Sequence, residues 1–192
     1  METVSIKKKG DFQTSLWSGG STTQLYIYPE DGDYKQGNFQ CRISSATVET
    51  ERSDFTKLPG VKRYLSIFQG HLDLVHGEEQ KISLKPFQVD CFDGGVPTVS
   101  YGKVVDFNLM LKHGAKGQME TLQLNPNEGA VLDPKEGENL LVVYVADGEI
   151  AIGQDSIKTQ ELFICKEWTS HIEIKNKGSK EAGLGICRIF VK

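Results

Sequence analysis

The chain is poor in the residues that build metal centres and redox pairs. Its 192 residues include four histidines, His71, His76, His113 and His171, and no two of them are two apart. A divalent-ion site in a small β-barrel needs a His-x-His pair, a nearby Glu and a later His, which together set neutral imidazoles and a carboxylate around one ion. His71 and His76 flank one short strand at an odd spacing, which puts them on opposite faces. The histidines therefore read as exposed or turn residues, and neither a metal nor a cofactor is expected. The four cysteines, Cys41, Cys91, Cys165 and Cys187, show no C-x-x-C spacing. Each lies in an apolar run, so all four read as buried small hydrophobes.

Other absences narrow the function classes. No apolar run approaches the roughly 18 residues of a membrane span, and residues 1–7 lack the hydrophobic stretch of a signal peptide. A cytoplasmic location with no membrane partner is the expectation. Lys and Arg number 22 against 26 Asp and Glu, a net charge of −4, and the basic residues cluster only at Lys7-Lys8-Lys9. Nucleic acid is thereby disfavoured, because phosphate neutralisation needs a basic face. There is no Gly-x-Ser-x-Gly elbow. The glycine-rich segment Trp17-Ser18-Gly19-Gly20-Ser21-Thr22-Thr23 is not followed by Gly-Lys-Ser/Thr, so it is not a phosphate loop. It reads as a tight turn entering a strand, or as a lip beside a pocket with Trp17 as a stacking surface. No sustained helical stripe occurs, and helix is expected at most as a turn near residues 53–58.

What the chain has is strand signal, and a pattern that occurs twice. Arg63-Tyr64-Leu65-Ser66-Ile67-Phe68-Gln69-Gly70-His71-Leu72-Asp73-Leu74 is matched about 78 residues later by Leu141-Val142-Val143-Tyr144-Val145-Ala146-Asp147-Gly148-Glu149-Ile150-Ala151-Ile152. Each copy is an apolar strand, a glycine turn and an alternating strand. Gly70 maps onto Gly148, Leu72 onto Ile150 and Leu74 onto Ile152. Many short strands between close turns mean a sandwich or barrel. Their duplication suggests an all-β chain of two jelly-roll halves packed as one compact unit, the bicupin arrangement. The seam is expected in residues 112–119, giving a cupin-like half at 1–112 that carries a pocket and a second at 113–192.

Polar residues on strands mark the candidate pocket. Gln40, Arg42, Ser44 and Ala46 share one strand face by the period of two, as do Asp106 and Asn108, and Arg63 opens another strand. Buried charge is costly unless paired, so Arg42 or Arg63 could satisfy Asp106. Alternatively an arginine stays free to hold a ligand carboxylate through two parallel hydrogen bonds. The second half lacks such a set, so one pocket is expected, in the N-terminal half. Phe55, Phe68, Phe87, Phe107 and Met110 read as core.

Five segments in register carry a family resemblance over about residues 12–112. They are Trp17-Ser-Gly-Gly-Ser-Thr-Thr23, Arg42-Ile-Ser-Ser-Ala-Thr-Val48, Asp54-Phe-Thr-Lys-Leu-Pro-Gly-Val-Lys-Arg63, Phe92-Asp-Gly-Gly-Val-Pro97 and Asp106-Phe-Asn-Leu-Met110. Together they resemble the HutD/Ves family. The resemblance implies a bicupin of the RmlC-like jelly-roll class, linked to histidine utilisation in HutD or to stress response in the Ves branch, without an established catalytic activity. It departs from the family at Ser18, where Asn is usual, and at Gly95, where Asp is usual. The reading is a metal-independent binding protein, a regulator or sensor, for a small acidic metabolite of the formylglutamate kind. Its ligand-binding residues would be Arg42, Ser44, Arg63, Asp106, Asn108, Trp17 and Thr22, with no catalytic residue. The alternatives are a metal-free enzyme using Asp106 as general base, and an interaction module with a vestigial pocket. The interaction module would associate through its sheet faces, as in a homodimer.

Overall fold

The computed structural model describes residues 1–78 and 80–192. Among them the one helical element is a 3-10 turn at Lys9–Asp11; all other regular structure is strand. The strands up to residue 111 are β1 (Thr3–Lys7), β2 (Gln13–Trp17), β3 (Gly20–Tyr28), β4 (Cys41–Val48), β5 (Arg52–Asp54), β6 (Lys62–Gly70), β7 (Leu72–His76), β8 (Gln80–Leu84), β9 (Val89–Asp93), β10 (Thr98–Tyr101) and β11 (Val104–Leu111). They are followed by β12 (Lys116–Leu124), β13 (Gly129–Leu132), β14 (Leu140–Asp147), β15 (Glu149–Ile152), β16 (Asp155–Lys158), β17 (Leu162–Lys166), β18 (Ile172–Asn176) and β19 (Ala182–Phe190). The helical turn expected near residues 53–58 is replaced by β5, which pairs with β10.

The chain divides into two compact units. An N-terminal unit holds Gln13–Ala115, and a C-terminal unit holds Lys116–Lys192 together with Met1–Phe12. The expected division at 112/113 is thus corrected for the first residues. The physical reason is strand pairing: β1 lies antiparallel to β17, from Thr3 opposite Lys166 to Lys7 opposite Leu162. The Glu2 carboxylate adds hydrogen bonds from the Thr169 and Ser170 backbone N–H groups.

The N-terminal unit has a six-stranded sheet of order β2-β3-β4-β11-β6-β9 and a four-stranded sheet of order β5-β10-β7-β8. Alternate residues of β4, β6 and β11 (Ala46, Val48, Leu65, Ile67, Val104) pack with Leu72, Leu74 and Leu84 of the smaller sheet. Each fully buried Leu or Ile contributes about 1.5–3 kcal/mol. The C-terminal unit repeats the plan, with sheets ordered β1-β17-β14-β19-β12 and β13-β18-β15-β16. Its interior is filled by Leu141, Val143, Val145, Phe163, Trp168, Leu184 and Ile186 against Ile150, Ile157 and Ile174.

The sequence repeat marks where the chain changes sheet. β6 runs into β7, and β14 into β15, each through a glycine, Gly70 at φ 90° and Gly148 at φ 89°. A Cβ on Gly70 would lie 2.3 Å from the Lys103 carbonyl oxygen, and one on Gly148 2.8 Å from the Ala182 Cα. Both positions therefore demand a residue without a side chain.

The cysteine reading needs one correction, since Cys91 is exposed while Cys41, Cys165 and Cys187 are buried. Arg63 corresponds to Leu141 in the repeat; Arg63 pairs with Phe92, and Leu141 pairs with Cys165. The counterpart of Cys165 is thus Phe92, one residue past Cys91, and a shift of one residue reverses the face of a strand.

Candidate functional site

The register of three central strands assembles the polar residues. β11 pairs with β4 so that Asp106 faces Ala46, Asn108 faces Ser44 and Met110 faces Arg42. On its other side Met110 faces Arg63 of β6. Residues opposite each other in an antiparallel pair share a sheet face, so the two polar alternations and Arg63 converge on one interior surface. Irregularities at Val105/Asp106 and at Gln24/Tyr26 interrupt the ladders beside this surface and re-aim the side chains there.

That surface lines a cavity of about 400 Å³, and all seven candidate residues, Trp17, Thr22, Arg42, Ser44, Arg63, Asp106 and Asn108, are on its wall. Tyr34, Phe55 and Met110 also line it, and the exposed Ser15, Lys35 and Asp54 stand at its rim. Arg42 donates from Nε to Gln24 Oε1 at 2.9 Å and from NH1 to Ser44 Oγ at 3.3 Å. Its Cζ lies 4.0 Å from the centre of the Tyr34 ring. Arg63 donates from NH2 to Asn108 Oδ1 at 2.9 Å, and its Cζ sits 4.6 Å from the Phe55 ring centre and 5.4 Å from that of Phe92. The Arg63 Nε is buried without a hydrogen-bond partner among the described residues. Trp17 and Thr22 hold each other, Nε1 to Oγ1 at 3.2 Å, so Thr22 tethers the indole at the lip. The glycine turn between them is structural: a Cβ on Gly20, at φ 149°, would lie 1.9 Å from the Thr47 carbonyl oxygen.

Gln24, Tyr34 and Phe55 were missed as site residues. Gln24 was legible, because it shares a face with Thr22 on β3. Tyr34 lies in the loop before β4, outside any period, and Phe55 had been assigned to the core, where it also packs.

The electrostatics of the cavity are unbalanced. Arg42 is 7% exposed, Arg63 6% and Asp106 5%. Among the described residues neither guanidinium lies within ion-pair distance of a carboxylate, so the direct Arg–Asp pairing considered from the sequence does not form. Asp106 Oδ1 instead accepts the Ala46 backbone N–H and the Asn108 Nδ2, both at 2.9 Å. Burial pushes the Asp106 carboxyl up to about 6, against the opposing pull of those hydrogen bonds and of Arg63 and Arg42. Burial also moves both guanidiniums below their usual range. The C-terminal unit solves the same problem internally. Its buried Arg188 meets Glu120 at 3.0 Å and Glu138 at 3.5 Å, and donates to the Asp133 carbonyl at 2.7 Å.

The histidine reading also needs a correction. His71, His113 and His171 are exposed, but His76 is buried, its ring nitrogens 2.9 Å from Thr98 Oγ1 and 2.8 Å from Asp90 Oδ2. It ends β7 facing inward, against the Phe92 ring. No group of three or more His, Cys, Asp or Glu side chains among the described residues is placed to hold a metal ion. No helix among them is long and apolar enough to cross a membrane.

Comparison with known proteins places this architecture. HutD from Pseudomonas fluorescens SBW25, solved in a formate condition, superposes with a TM-score of 0.76 at 17% identity, covering 99% of this chain and 100% of its own. PA5104, a conserved protein of unknown function from Pseudomonas aeruginosa PAO1, gives a TM-score of 0.81 at 16% identity, covering 98% and 100%. The pirin YhhW from Escherichia coli, in complex with nickel(II), gives 0.71 at 9% identity, covering 97% and 98%. Likeness at these identities shows the fold, which is that of the cupins. A search among curated proteins finds no significant match. The HutD family model matches residues 9–181, and the chain therefore belongs to the HutD family, a membership that links it to histidine utilisation.

Proposed function

We propose that the N-terminal cavity binds a small carboxylate metabolite without a metal, and that the protein serves histidine utilisation as a cytoplasmic sensor or regulator. The observation that carries this reading is the pair of buried arginines with no carboxylate partner. A buried cation without a counter-charge is costly, and a ligand carboxylate supplies both the charge and the acceptors for a guanidinium fork. Arg188 is the internal comparison: where no ligand is served, glutamates of the chain itself occupy the guanidinium. Ser44 and Asn108 then orient the arginines, while Trp17 and Tyr34 offer flat surfaces to the rest of the ligand. Family membership supports an acidic intermediate of histidine breakdown, such as formylglutamate.

A thermal-shift panel tests this reading, with N-formylglutamate, formiminoglutamate, glutamate, urocanate, and divalent metals with a chelator control. A ligand at about 100 times its Kd adds about 2.7 kcal/mol, several degrees for a chain of this size. The expected result is a shift with one acid, none with metal, and loss of the shift in Arg42→Ala. No shift with any acid would refute the reading.

One observation favours a second reading. A buried carboxyl near 6 beside a cavity is suited to general acid–base chemistry. Turnover of the same compounds, abolished in Asp106→Asn, would establish an enzyme. Turnover that survives the substitution would remove Asp106 from that role.

A further inference from the structure

We propose that the cavity takes up one proton with a dianionic ligand, and that Asp106 receives it on Oδ2 and donates it to the bound carboxylate. The inference rests on the carboxylate-binding reading above. Its first support is hydrogen-bond geometry. Oδ1 already accepts from the Ala46 N–H and the Asn108 Nδ2, and both partners are pure donors there. Protonating Oδ1 would set a proton against them, so Oδ2 is the oxygen that can carry one. Oδ2 has no hydrogen-bond partner among the described residues, and Asp106 is on the cavity wall.

The second support is charge balance. Arg42 from β4 and Arg63 from β6 bring two positive charges to the cavity, and Asp106 from β11 brings one negative charge. Tyr34 faces the same space, His76 stands against the Phe92 ring, Asp54 at the rim is already paired with Arg52 at 2.7 Å, and the exposed Lys35 there is screened by solvent. A monoanionic ligand neutralises this set without a proton. A dianion, with one carboxylate for each guanidinium, leaves one negative charge in excess, and like charges in a desolvated space cannot all remain ionised. Neither arginine contacts Asp106 directly; Arg63 reaches it only through Asn108. Asp106 is therefore the group least held in its ionised form, consistent with a carboxyl that burial has already pushed up to about 6.

The linkage has a definite sign. A bound dianion raises the Asp106 carboxyl further, so affinity is highest below about 6 and falls as pH rises, by about tenfold per pH unit until the bound-state value is passed. Asp106→Asn keeps the acceptor on Oδ1 and places a permanent donor where the proton would sit.

The test is isothermal titration of the full chain with N-formylglutamate in phosphate and in Tris at pH 7, repeated between pH 6 and 8, with N-formylglutamine as the monoanionic near-isostere. The expected result is uptake of close to one proton per formylglutamate and much less per formylglutamine. In Asp106→Asn, formylglutamate should bind without proton uptake and with an affinity that no longer varies with pH. Formylglutamate binding without uptake in the native chain, or uptake that persists in Asp106→Asn, would overturn the inference while leaving the binding reading intact. No binding of formylglutamate at any pH, in native chain or variant, would overturn both.

Discussion

Asp106→Asn should stabilise the ligand-free protein, and the gain should depend on pH. The side chain is 5% exposed, and its carboxyl stands at about 6 in the folded protein against an ordinary 3.8. The folded state therefore holds the proton more tightly than the unfolded chain does. Stability falls as pH rises through this interval, and above about 6 the ionised group costs about 3 kcal/mol, at ~1.4 kcal/mol per tenfold change in proton affinity. That figure already contains the attraction of Arg42 and Arg63, which burial outweighs. Asn is close to isosteric and keeps an acceptor for Ala46 and Asn108, so the substitution removes the charge and little else. At pH 8 the variant should unfold roughly 6–12 °C above the native chain, taking ~2–4 °C per kcal/mol for a chain of this size. The difference should narrow steadily below pH 6. Thermal unfolding of both proteins at pH 8, 7, 6 and 5 reads this directly. A variant less stable at pH 8 would show that Asp106 is the counter-ion of the arginines, and a gap that stays constant with pH would refute the linkage.

The two classes of buried arginine should separate in the same assay. Arg63→Met removes a guanidinium with no carboxylate partner and leaves only Asn108 Oδ1 without its donor, about 1–2 kcal/mol, so unfolding without ligand should change by a few degrees at most while ligand-induced stabilisation disappears. Arg188→Met strands Glu138 and Glu120 and should cost about 2–3 kcal/mol; equal losses from the two substitutions would dissolve the distinction. Gly20→Ala forces a Cβ onto the Thr47 carbonyl and should destabilise by about 1–3 kcal/mol, measured by urea denaturation, whereas an unchanged midpoint would mean that the β2–β3 turn is not fixed as described. Removing residues 1–8 uncovers the β17 edge, so hydrogen exchange should quicken in Leu162–Lys166; unchanged protection there would contradict the β1–β17 pairing.

The candidate site was unusually legible because two signals coincide there. Arg42 with Ser44, and Asp106 with Asn108, alternate on strands, and a period of two assigns side chains to faces without any knowledge of the partner strand. Polar residues on a strand face that must otherwise be apolar are conspicuous, and the family segments fell on the same positions. Less legible were the residues that fix the arginines. Tyr34 comes from an irregular loop, and Phe55 follows the short strand β5 and reads equally well as core. His76 was misread because it ends a short strand, where face assignment turns on a single residue of register, and Cys91 because its match to Cys165 was one residue out.

The sequence by itself determined an all-β chain built on a repeated strand–glycine–strand unit, an N-terminal polar set without metal-ligand spacing, and membership of a family. These are local or periodic properties, set by side-chain alternation, by backbone angles that only glycine adopts easily, and by motif order. Only the tertiary structure decided that residues 1–12 complete the C-terminal unit, that Asp106 and the arginines share a wall without pairing, and that Arg188 is neutralised from within. Each of these depends on register between strands far apart in the chain. A shift of one residue there exchanges an interior charge for an exterior one, and local pattern does not encode that choice.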